Sequence, residues 1–447
     1  MDLIEIALVL LVLLTVLLAG GVWIAIALMA CGYAGMLFVG GSVPPGGVLA
    51  TTVWGNSASW TLAALPLFIW MGEILFRTKL SEEMFRGLAP WLNRIPGRLM
   101  HVNVLACGIF GSVSGSSAAT CATVAKIALP ELKKRGYDEN ISLGSLAGAG
   151  TLGILIPPSI VMVIYSVATG GSVALDPEGK RVLSASVGQL FMAGVIPGLM
   201  LASMLGATTF YRAWKNDYPR MPKATWAECF KAFRESIWGL LLIVIVLGGI
   251  YSGAFTPTEA AAVSAVYAFV IAVFVYKDMT LKDVPRVLLG SANMSAMILY
   301  IVTNAVLFSF LMTSEQIPQR MISWVASSGF TWIEFLLFVN ILLLVAGNVM
   351  EPSSIVLITA PILFPVAVSL GINPVHLGIL MTVNMEVGLC HPPVGLNLYV
   401  ASGIAKMGIT ELTIAVWPWL LTMLIFLVIV TYIPELSLWL PRMLGML

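Results

Sequence analysis

A stretch rich in glycine and serine, residues 111–158, interrupts a chain that is otherwise strongly apolar. It begins GSVSGSSAATCATV and ends GAGTLGILIPP, which places the proline pair Pro157-Pro158 at its end. Serine and glycine weaken a helix, and two successive prolines remove two backbone donors. Irregular backbone is tolerated at membrane depth only where it lines a cavity enclosed by protein. The stretch therefore predicts a hairpin tip followed by a broken helix.

The same pattern of helix-breaking glycines and prolines recurs further along the chain. A shift of 235 residues places Pro157-Pro158 on Pro392-Pro393 and Gly153 on Gly388 without a gap. The same shift aligns three more pairs, which are Pro130 with Pro365, Gly136 with Gly371 and Asp138 with Asn373. These matches predict an internal repeat. Duplicated, interrupted hydrophobic segments in two halves are typical of the binding site of a secondary transporter.

The composition is that of an integral membrane protein. Of the 447 residues, 59% are hydrophobic and 10% are charged, and the mean hydropathy is +0.98. We therefore expect the lipid bilayer as the surroundings, with no soluble domain and no nucleic acid partner. The amino end lacks the basic region of a signal peptide, so the first helix is expected to remain. Five cysteines without CxxC spacing are interpreted as packing residues, neither disulfides nor metal ligands: Cys31, Cys107, Cys121, Cys229 and Cys390.

Ten apolar stretches predict membrane spans. They cover residues 3–19, 22–39, 61–76, 142–170, 188–210, 236–254, 257–276, 290–312, 375–404 and 411–433. Two further apolar pairs, 99–132 and 331–369, each contain a polar midpoint and predict re-entrant helical hairpins. The segment 79–94 is amphipathic and basic, so we expect it to lie along the inner surface. Residues 212–235 are predicted to form a polar inner loop.

The basic residues give the orientation. With the amino end outside, all but four of the 23 Lys and Arg residues lie on the inner side. The four exceptions are Lys180, Arg181, Arg320 and Arg442. Because the inner loops of membrane proteins carry the excess of basic residues, both termini are predicted to be periplasmic. The first hairpin then enters from the cytoplasm and the second from outside, which makes the repeat inverted.

This layout divides the all-α chain into four segments. Residues 1–98 form a first part of a scaffold with its arm helix, and residues 212–330 form a connector and the second part of the scaffold. Residues 99–211 hold the first transport repeat, with hairpin 99–132 and broken helix 142–170. Residues 331–447 hold the second repeat, with hairpin 331–369, broken helix 375–404 and a C-terminal helix.

Helix ends at the tips and breaks supply the predicted chemistry. Ser117 and Ser353 are expected N-caps, and both proline pairs are expected to begin half-helices. Four helix amino ends would then face one site and hold an anion without a membrane-embedded cation. Free carbonyls in 148–156 and 347–350 offer oxygen ligands for a small cation, as do the hydroxyls of Ser114, Ser116, Thr151 and Ser354. The alternative is that these small residues only let helices pack closely.

Acidic side chains at membrane depth are costly and usually functional. Glu351, at the second tip, and Glu386, in the second break, are therefore site candidates. Glu73 and Glu259 lie in scaffold segments, and Glu259 follows a Thr-Pro-Thr sequence that fits a helix start as well as it fits chemistry. His391 precedes the second proline pair and fits either a cavity lining or a structural hydrogen bond.

Several motifs resemble the large membrane subunit of TRAP (tripartite ATP-independent periplasmic) transporters. They are SGSSAA at 114–119, LPELKKRGYD at 129–138, GTLGILIPPS at 150–159, FTPTEAAAV at 255–263, LGIN at 370–373 and HPPVGLNLYV at 391–400. The resemblance covers essentially the whole chain. It implies a sodium-coupled importer of organic acids in the bacterial inner membrane, working with a small four-helix membrane subunit and a periplasmic binding protein. It also implies an elevator mechanism and an architecture shared with divalent-anion sodium symporters of the ion transporter superfamily.

The resemblance also implies site residues, with two or more sodium ions bound where each tip meets its break. The first sodium site would comprise Ser114, Gly115, Ser116, Gly148, Thr151 and Gly153, and the second Asn348, Ser353, Ser354 and Gly388. Substrate contacts are expected from Ser116, Ser117, Ser159, Glu351 and Asn397, with Glu386 and His391 as further candidates. The family often has Asp where Glu351 stands and Thr where His391 stands, and both departures change the cavity.

Two other classes of protein remain open from the residues. An intramembrane serine hydrolase would use a glycine-flanked serine with His391, but it leaves the repeat unexplained. A passive channel or an ABC-type permease does not predict inverted hairpins or sodium-dependent uptake. The sequence leaves the substrate open among dicarboxylates, sugar acids and sulfonates.

Overall fold

The computed structural model describes residues 3–39, 44–92, 99–170, 174–216, 224–348, 350–392 and 395–447. The helices of the first half are α1 (Leu3–Ala19), α2 (Ile24–Val39), α3 (Pro45–Ser57), α4 (Ala64–Arg77), α5 (Leu80–Leu92), α6 (Leu99–Ser114), α7 (Ser117–Lys134), α8 (Glu139–Gly150), α9 (Ile160–Gly170) and α10 (Val187–Lys215). Short 3-10 turns, Thr61–Ala63 and Thr151–Ile154, precede α4 and follow α8. A two-stranded antiparallel hairpin, β1 (Ala174–Leu175) with β2 (Arg181–Val182), lies between α9 and α10, and Ala174 pairs with Val182.

The second half is also helical. Its helices are α11 (Trp226–Ile243), α12 (Gly249–Tyr251), α13 (Pro257–Val270), α14 (Val284–Ser314), α15 (Ile317–Ser327), α16 (Trp332–Gly347), α17 (Pro352–Ser369), α18 (Pro374–Cys390), α19 (Leu396–Ala405), α20 (Ile409–Tyr432) and α21 (Glu435–Met443). Two π-helical segments, Val244–Gly248 and Ile271–Val275, continue α11 and α13.

Six described helices are long and apolar enough to cross a membrane. They are Val187–Lys215, Trp226–Tyr251, Pro257–Val275, Val284–Ser314, Pro352–Ser369 and Ile409–Tyr432. A seventh span results if Thr61–Arg77 and Leu80–Leu88, which are bent by 70° relative to each other, are taken together. Five of the six coincide with predicted spans, and Pro352–Ser369 is the second half of the predicted hairpin 331–369. The chain is a multi-pass helical membrane protein.

Helix pairs occupy both predicted hairpins. Helix α6 turns into α7 at Gly115 and Ser116, and Gly115 has a φ of +62°, which glycine adopts without steric cost. Helix α16 turns into α17 through residues 348–351, of which Val349 lies outside the described residues. The two predicted broken helices are interrupted as well, α8 before α9 and α18 before α19. The predicted break residue Pro393 lies outside the described residues.

Helix boundaries in the two halves keep the offset of 235 residues. Helix α7 starts at Ser117 and ends at Lys134, while α17 starts at Pro352 and ends at Ser369. Asp138 caps α8 by accepting a backbone N–H at 2.9 Å, and Asn373 caps α18 in the same way at 2.9 Å. Since caps fix where a helix begins, the equal spacing of the caps gives matching helix starts, although α8 ends at Gly150 and α18 continues to Cys390.

The N-caps at the tips are not the predicted ones. Ser116 rather than Ser117 caps α7, and Glu351 rather than Ser353 caps α17. Both capping residues have extended backbone dihedrals, as an N-cap requires, whereas the predicted residues already lie within the helices. A polar cap was therefore correctly predicted at each half-helix, but its position was wrong by one residue at α7 and by two at α17.

Two further expectations were wrong, and several elements were not predicted. Pro157 and Pro158 do not begin a half-helix, because α9 starts only at Ile160, and Pro392 does not begin one either, because α19 starts only at Leu396. The inner loop 212–235 is helical from Trp226 onward, because Thr225 and Glu228 form a capping box, with Glu228 donating its N–H to the Thr225 hydroxyl at 3.3 Å. The sequence patterns also did not predict α3, α15, α21 or the strand pair.

Helix α20 packs against α8 and thereby holds the first broken helix. Trp419 is fully buried and donates its indole N–H to the Thr209 hydroxyl at 3.0 Å. A Cβ added at Gly144 would lie 2.4 Å from Ala415 O, and one at Gly148 would lie 2.7 Å from Trp419 Cβ. The glycines of α8 let this large side chain approach the helix closely. Close packing therefore accounts for Gly148, as the alternative interpretation proposed.

Candidate functional site

The first tip is a compact hydroxyl cluster. Ser116 caps α7 by accepting the Ala119 N–H at 3.4 Å. The Ser114 hydroxyl lies 2.8 Å from the Thr120 hydroxyl, and Thr120 donates to Ser116 O at 2.7 Å. Ser114 and Thr120 are buried, while Ser116 is half-buried. The tip thus holds three hydroxyls and a glycine turn within a few residues, and Ser116 is the most accessible residue of the three.

The first tip lies directly against the first break. A Cβ added at Gly111 would lie 2.6 Å from Gly153 Cα, and one at Gly115 would lie 2.9 Å from Pro158 O. A Cβ added at Gly153 would lie 2.7 Å from the Thr120 hydroxyl oxygen. Only glycine allows backbones to come this close. The structure therefore brings Ser114, Gly115, Ser116 and Gly153 together, as expected for a shared site.

Two other residues predicted for the first sodium site are hydrogen-bonded to each other. The Thr151 hydroxyl donates to Gly148 O at 2.8 Å, and Thr151 is fully buried. The Gly148 carbonyl is therefore already paired. The closest approaches of the tip to the break are made at Gly153 and Pro158 rather than at these two residues.

The second tip is built on Glu351. Its Oε1 accepts the Ser353 hydroxyl at 2.7 Å, and its Oε2 accepts the Ser354 N–H at 3.3 Å. The glutamate is exposed, whereas both serines are buried. A carboxylate at the amino end of α17 is stabilised by the free N–H groups and the helix dipole there. Among the described residues no basic side chain pairs with Glu351, so its negative charge stays accessible.

The second tip also meets its own break. A Cβ added at Gly388 would lie 3.0 Å from Gly347 Cα, so α16 and α18 touch through backbone atoms. His391 Nδ1 lies 2.7 Å from Asn348 Oδ1. This bond ties the end of the broken helix to the tip residue. Asn348 and Gly388 are therefore brought to one place, whereas Ser353 and Ser354 contact Glu351. His391 makes the structural hydrogen bond that was one of its two interpretations.

A buried hydrogen-bond cluster links the first tip to the second break. The Asn397 amide group donates to the Ser117 hydroxyl at 2.8 Å and to Ala147 O at 3.3 Å. Ser117 also lies 3.1 Å from Gly150 O. Both side chains are buried, and the Ser159 hydroxyl, also buried, donates to Ile154 O. Of the five predicted substrate residues, only Ser116 and Glu351 are accessible in this conformation.

The remaining acidic candidates differ in their burial and in their partners. Glu386 is fully buried, and among the described residues neither of its carboxylate oxygens has a hydrogen-bond partner. Glu73 forms an ion pair with Arg77 at 2.5 Å, so it belongs to the scaffold segment. Glu259 accepts the Thr256 N–H at 2.8 Å within a capping box, which confirms the helix-start interpretation.

The site as a whole favours an anion together with small cations. The segments 111–125, 144–165, 346–356 and 380–400 contain no Lys or Arg. Free N–H groups at the start of α7 can hold an anionic group, whereas at the start of α17 the Glu351 carboxylate already takes that place. Hydroxyl and carbonyl oxygens around the breaks are the ligands that transporters use for sodium. The sequence prediction missed Thr120 and Gly111, and the four-residue spacing from Ser116 to Thr120 is the signal that could have found the first.

Comparison with known proteins identifies the family. The family model described as the DctM component of the tripartite ATP-independent periplasmic transporters matches residues 11–436. The chain belongs to this family. It is therefore a subunit of a TRAP transporter and not an enzyme, so the hydrolase alternative is wrong. Because the family is ATP-independent by its description, the ABC-type alternative is also excluded.

Two relatives cover most of this TRAP subunit. The C4-dicarboxylate TRAP transporter large permease protein DctM of Rhodobacter capsulatus is 62% identical over 86% of this chain and 88% of the relative. The protein of the same description from Pseudomonas aeruginosa is 48% identical over 89% of this chain and 90% of the relative. The YdaH transporter of Alcanivorax borkumensis has a similar fold, with a TM-score of 0.61, 15% identity and coverage of 87% of this chain and 88% of that chain.

Proposed function

We propose that this subunit is the sodium-coupled permease of a transporter that imports a C4-dicarboxylate or a similar small organic acid. The proposal is supported by family membership and by the two relatives named for C4-dicarboxylates. A periplasmic binding protein delivers the acid, and a small four-helix membrane subunit completes the transporter in the bacterial inner membrane. Sugar acids and sulfonates are the competing substrates.

The observation that carries this proposal is the contact of each tip with its own break. Gly111 meets Gly153 in one half, and Gly347 meets Gly388 in the other. Each contact adjoins the amino end of a half-helix, capped by Ser116 or by Glu351. The offset shared by the starts of α7 and α17 and of α8 and α18 supports a repeat, and the predicted orientation makes it inverted, so that the two contacts would serve equivalent binding sites.

Sodium would be the coupling ion that is transported together with the acid. The oxygens of Ser114, Gly115, Ser116 and Gly153 would hold one ion, and those of Asn348, Ser353, Ser354 and Gly388 another. Hard, uncharged oxygens next to unwound backbone suit a sodium ion. Ser116 and Glu351 are the accessible polar groups at the two tips, so Ser116 would donate to a carboxylate of the acid, and Glu351 would accept from a hydroxyl of the acid where one is present. In this conformation Ser117, Ser159 and Asn397 would hold the tip and break in place around it.

We further propose an elevator mechanism of the divalent-anion sodium symporter type. Segments 99–211 and 331–447 would move as a transport domain against a scaffold of 1–98 and 212–330. Buried hydrogen bonds between Ser117 and Asn397, 280 residues apart, support the joint movement of the two repeats. Such a cluster resists separation, because breaking it leaves buried polar groups unpaired.

Uptake into proteoliposomes tests the function directly. The subunit, its membrane partner and its binding protein would be reconstituted, and uptake of radiolabelled succinate followed with and without an inward sodium gradient. We expect accumulation that requires both the gradient and the binding protein. Uptake of succinate down its own gradient regardless of sodium would indicate a passive channel. Preference for a sugar acid or a sulfonate over succinate would contradict the proposed substrate class.

Substitution of the tip serines is expected to weaken sodium activation. Ser116→Ala removes the cap of α7, and Ser353→Ala removes the hydroxyl that donates to Glu351 at 2.7 Å. Loss of an N-cap or of one hydrogen bond costs about 1 kcal/mol. We therefore expect the sodium concentration for half-maximal uptake to rise by about fivefold. Initial uptake rates at graded external sodium measure the effect.

A serine in a distant cap provides the control for these variants. Ser186 caps α10 in a capping box with Gln189, away from the tips, so Ser186→Ala should leave sodium activation unchanged. If both tip variants show the sodium dependence of the wild type, then the two serines do not belong to the sodium sites.

Movement of the tip is expected to change the labelling of a cysteine at Ala118. This residue is half-buried next to the cap of α7, and the five native cysteines are all buried, so the background is low. A membrane-impermeant maleimide applied from either side should label Ala118→Cys differently with sodium and substrate than without them. A cysteine at Lys282, exposed before the start of α14 on the predicted inner side of the scaffold, should label equally in all states when the maleimide is applied from that side. Constant labelling at Ala118 would contradict the elevator mechanism.

A further inference from the structure

A cavity lies apart from the tips and breaks, at the end of α7 and α8 that the predicted orientation places in the cytoplasm. It has a volume of about 400 Å³. Its wall is mostly apolar and includes Ala125 and Leu129 of α7 and Ile404 and Ala405 of α19. Lys126, Lys133 and Glu139 complete the rim. The cavity therefore combines an apolar wall with a charged mouth.

The two lysines of the rim differ in their partners. Lys133 Nζ lies 3.2 Å from a carboxylate oxygen of Glu139, so its charge is balanced. Lys126 Nζ lies 4.6 Å from the centre of the Phe76 ring, and among the described residues it has no carboxylate within ion-pair distance. One positive charge thus remains uncompensated at the mouth of the cavity.

An uncompensated lysine above an apolar wall matches an amphiphile with one anionic group. Basic pockets between helices on the cytoplasmic side of a membrane protein bind the headgroups of acidic lipids. A free dicarboxylate fits less well, because its second carboxylate would find only the lysine that already pairs with Glu139. We propose that this cavity binds an anionic phospholipid, with its phosphate at Lys126 and an acyl chain along Leu129, Ile404 and Ala405.

Native mass spectrometry of the full-length chain in detergent tests this proposal. The protein would be titrated with dioleoyl phosphatidylglycerol and, separately, with dioleoyl phosphatidylcholine. We expect one phosphatidylglycerol to bind at concentrations at which phosphatidylcholine does not. Lys126→Gln should weaken the phosphatidylglycerol affinity about tenfold, the loss expected for one hydrogen bond to a charged group. Lys282→Gln, an exposed inner-surface lysine outside the cavity wall, should leave it unchanged.

A second variant tests the volume of the cavity independently of its charge. Ala405→Trp fills the cavity without altering its charge, and it should weaken phosphatidylglycerol binding as Lys126→Gln does. It also keeps the test decisive if Lys126→Gln does not fold. Equal binding of phosphatidylglycerol by the wild type and Ala405→Trp would overturn the proposal. Displacement of the lipid by millimolar succinate or inorganic phosphate would also overturn it, since the cavity would then be a site for free anions.

Discussion

Replacing Glu351 with glutamine is expected to lower the apparent affinity for the organic acid by ten- to a hundredfold while the protein stays folded. Glu351 accepts the Ser353 hydroxyl and the Ser354 N–H, and its carboxylate remains accessible. Glutamine keeps a carbonyl oxygen for the cap but loses the charge. For an acid that carries a hydroxyl, as malate does, a hydrogen bond from this hydroxyl to the charged carboxylate is worth about 1.5–3 kcal/mol, which gives about ten- to a hundredfold in affinity. The KM of uptake in proteoliposomes measures this, and thermal unfolding in detergent checks the fold.

Glu334 provides the matched control, because it is a glutamate in the capping box at the start of α16 with Thr331. Glu334→Gln should leave the KM of uptake unchanged. Normal uptake by Glu351→Gln would show that the carboxylate is only a helix cap. Failure of the variant to reach the membrane would show that the cap holds the tip together before any substrate arrives, and that too would contradict the expected result.

Gly111→Ala is expected to remove most sodium activation and to destabilise the protein. The added Cβ would lie 2.6 Å from Gly153 Cα and 2.9 Å from Gly153 N, and backbone atoms cannot turn aside as a side chain can. Overpacking of this kind costs about 1–3 kcal/mol. The first tip must then separate from its break, so the sodium concentration for half-maximal uptake should rise by roughly five- to a hundredfold. Uptake at graded sodium and the unfolding temperature in detergent measure the two effects.

Gly403 in α19 is the control for this substitution. No atom lies within 4 Å of a Cβ added there, so Gly403→Ala should be neutral or slightly stabilising, since alanine favours a helix. If Gly111→Ala matched Gly403→Ala in sodium activation and unfolding temperature, then the contact between tip and break would carry no sodium site.

Local sequence features were sufficient to predict the class of protein and most element positions. The spans at 188–210, 257–276 and 411–433 agree with α10, α13 with its π-helical continuation, and α20, because hydropathy over about 20 residues decides whether a helix can lie in lipid. Hairpins and breaks were predicted because glycine and proline act on the backbone at the residue itself. The family resemblance rested on contiguous motifs and was confirmed by the family model.

Errors arose where several local signals competed. At each tip two or three neighbouring polar residues can cap a helix, and the one that does so is set by how the chain leaves the preceding helix. Ser116 and Glu351 have the extended backbone that a cap requires, and this depends on the turn before them. Helix α11 begins earlier than hydropathy predicted, because a capping box can start a helix in a polar segment.

The sequence by itself determined that this protein is a helical membrane protein with interrupted helices in both halves, because hydropathy and the effects of glycine and proline on the backbone act over short distances. Only the tertiary structure decided which residues meet. Asn397 donates a hydrogen bond to Ser117, and His391 is hydrogen-bonded to Asn348, because helices far apart in the chain pack together. The same packing leaves Glu351 exposed and buries Ser117, although both are polar residues at a tip. Accessibility depends on what surrounds a residue, and the order of residues along the chain does not specify it.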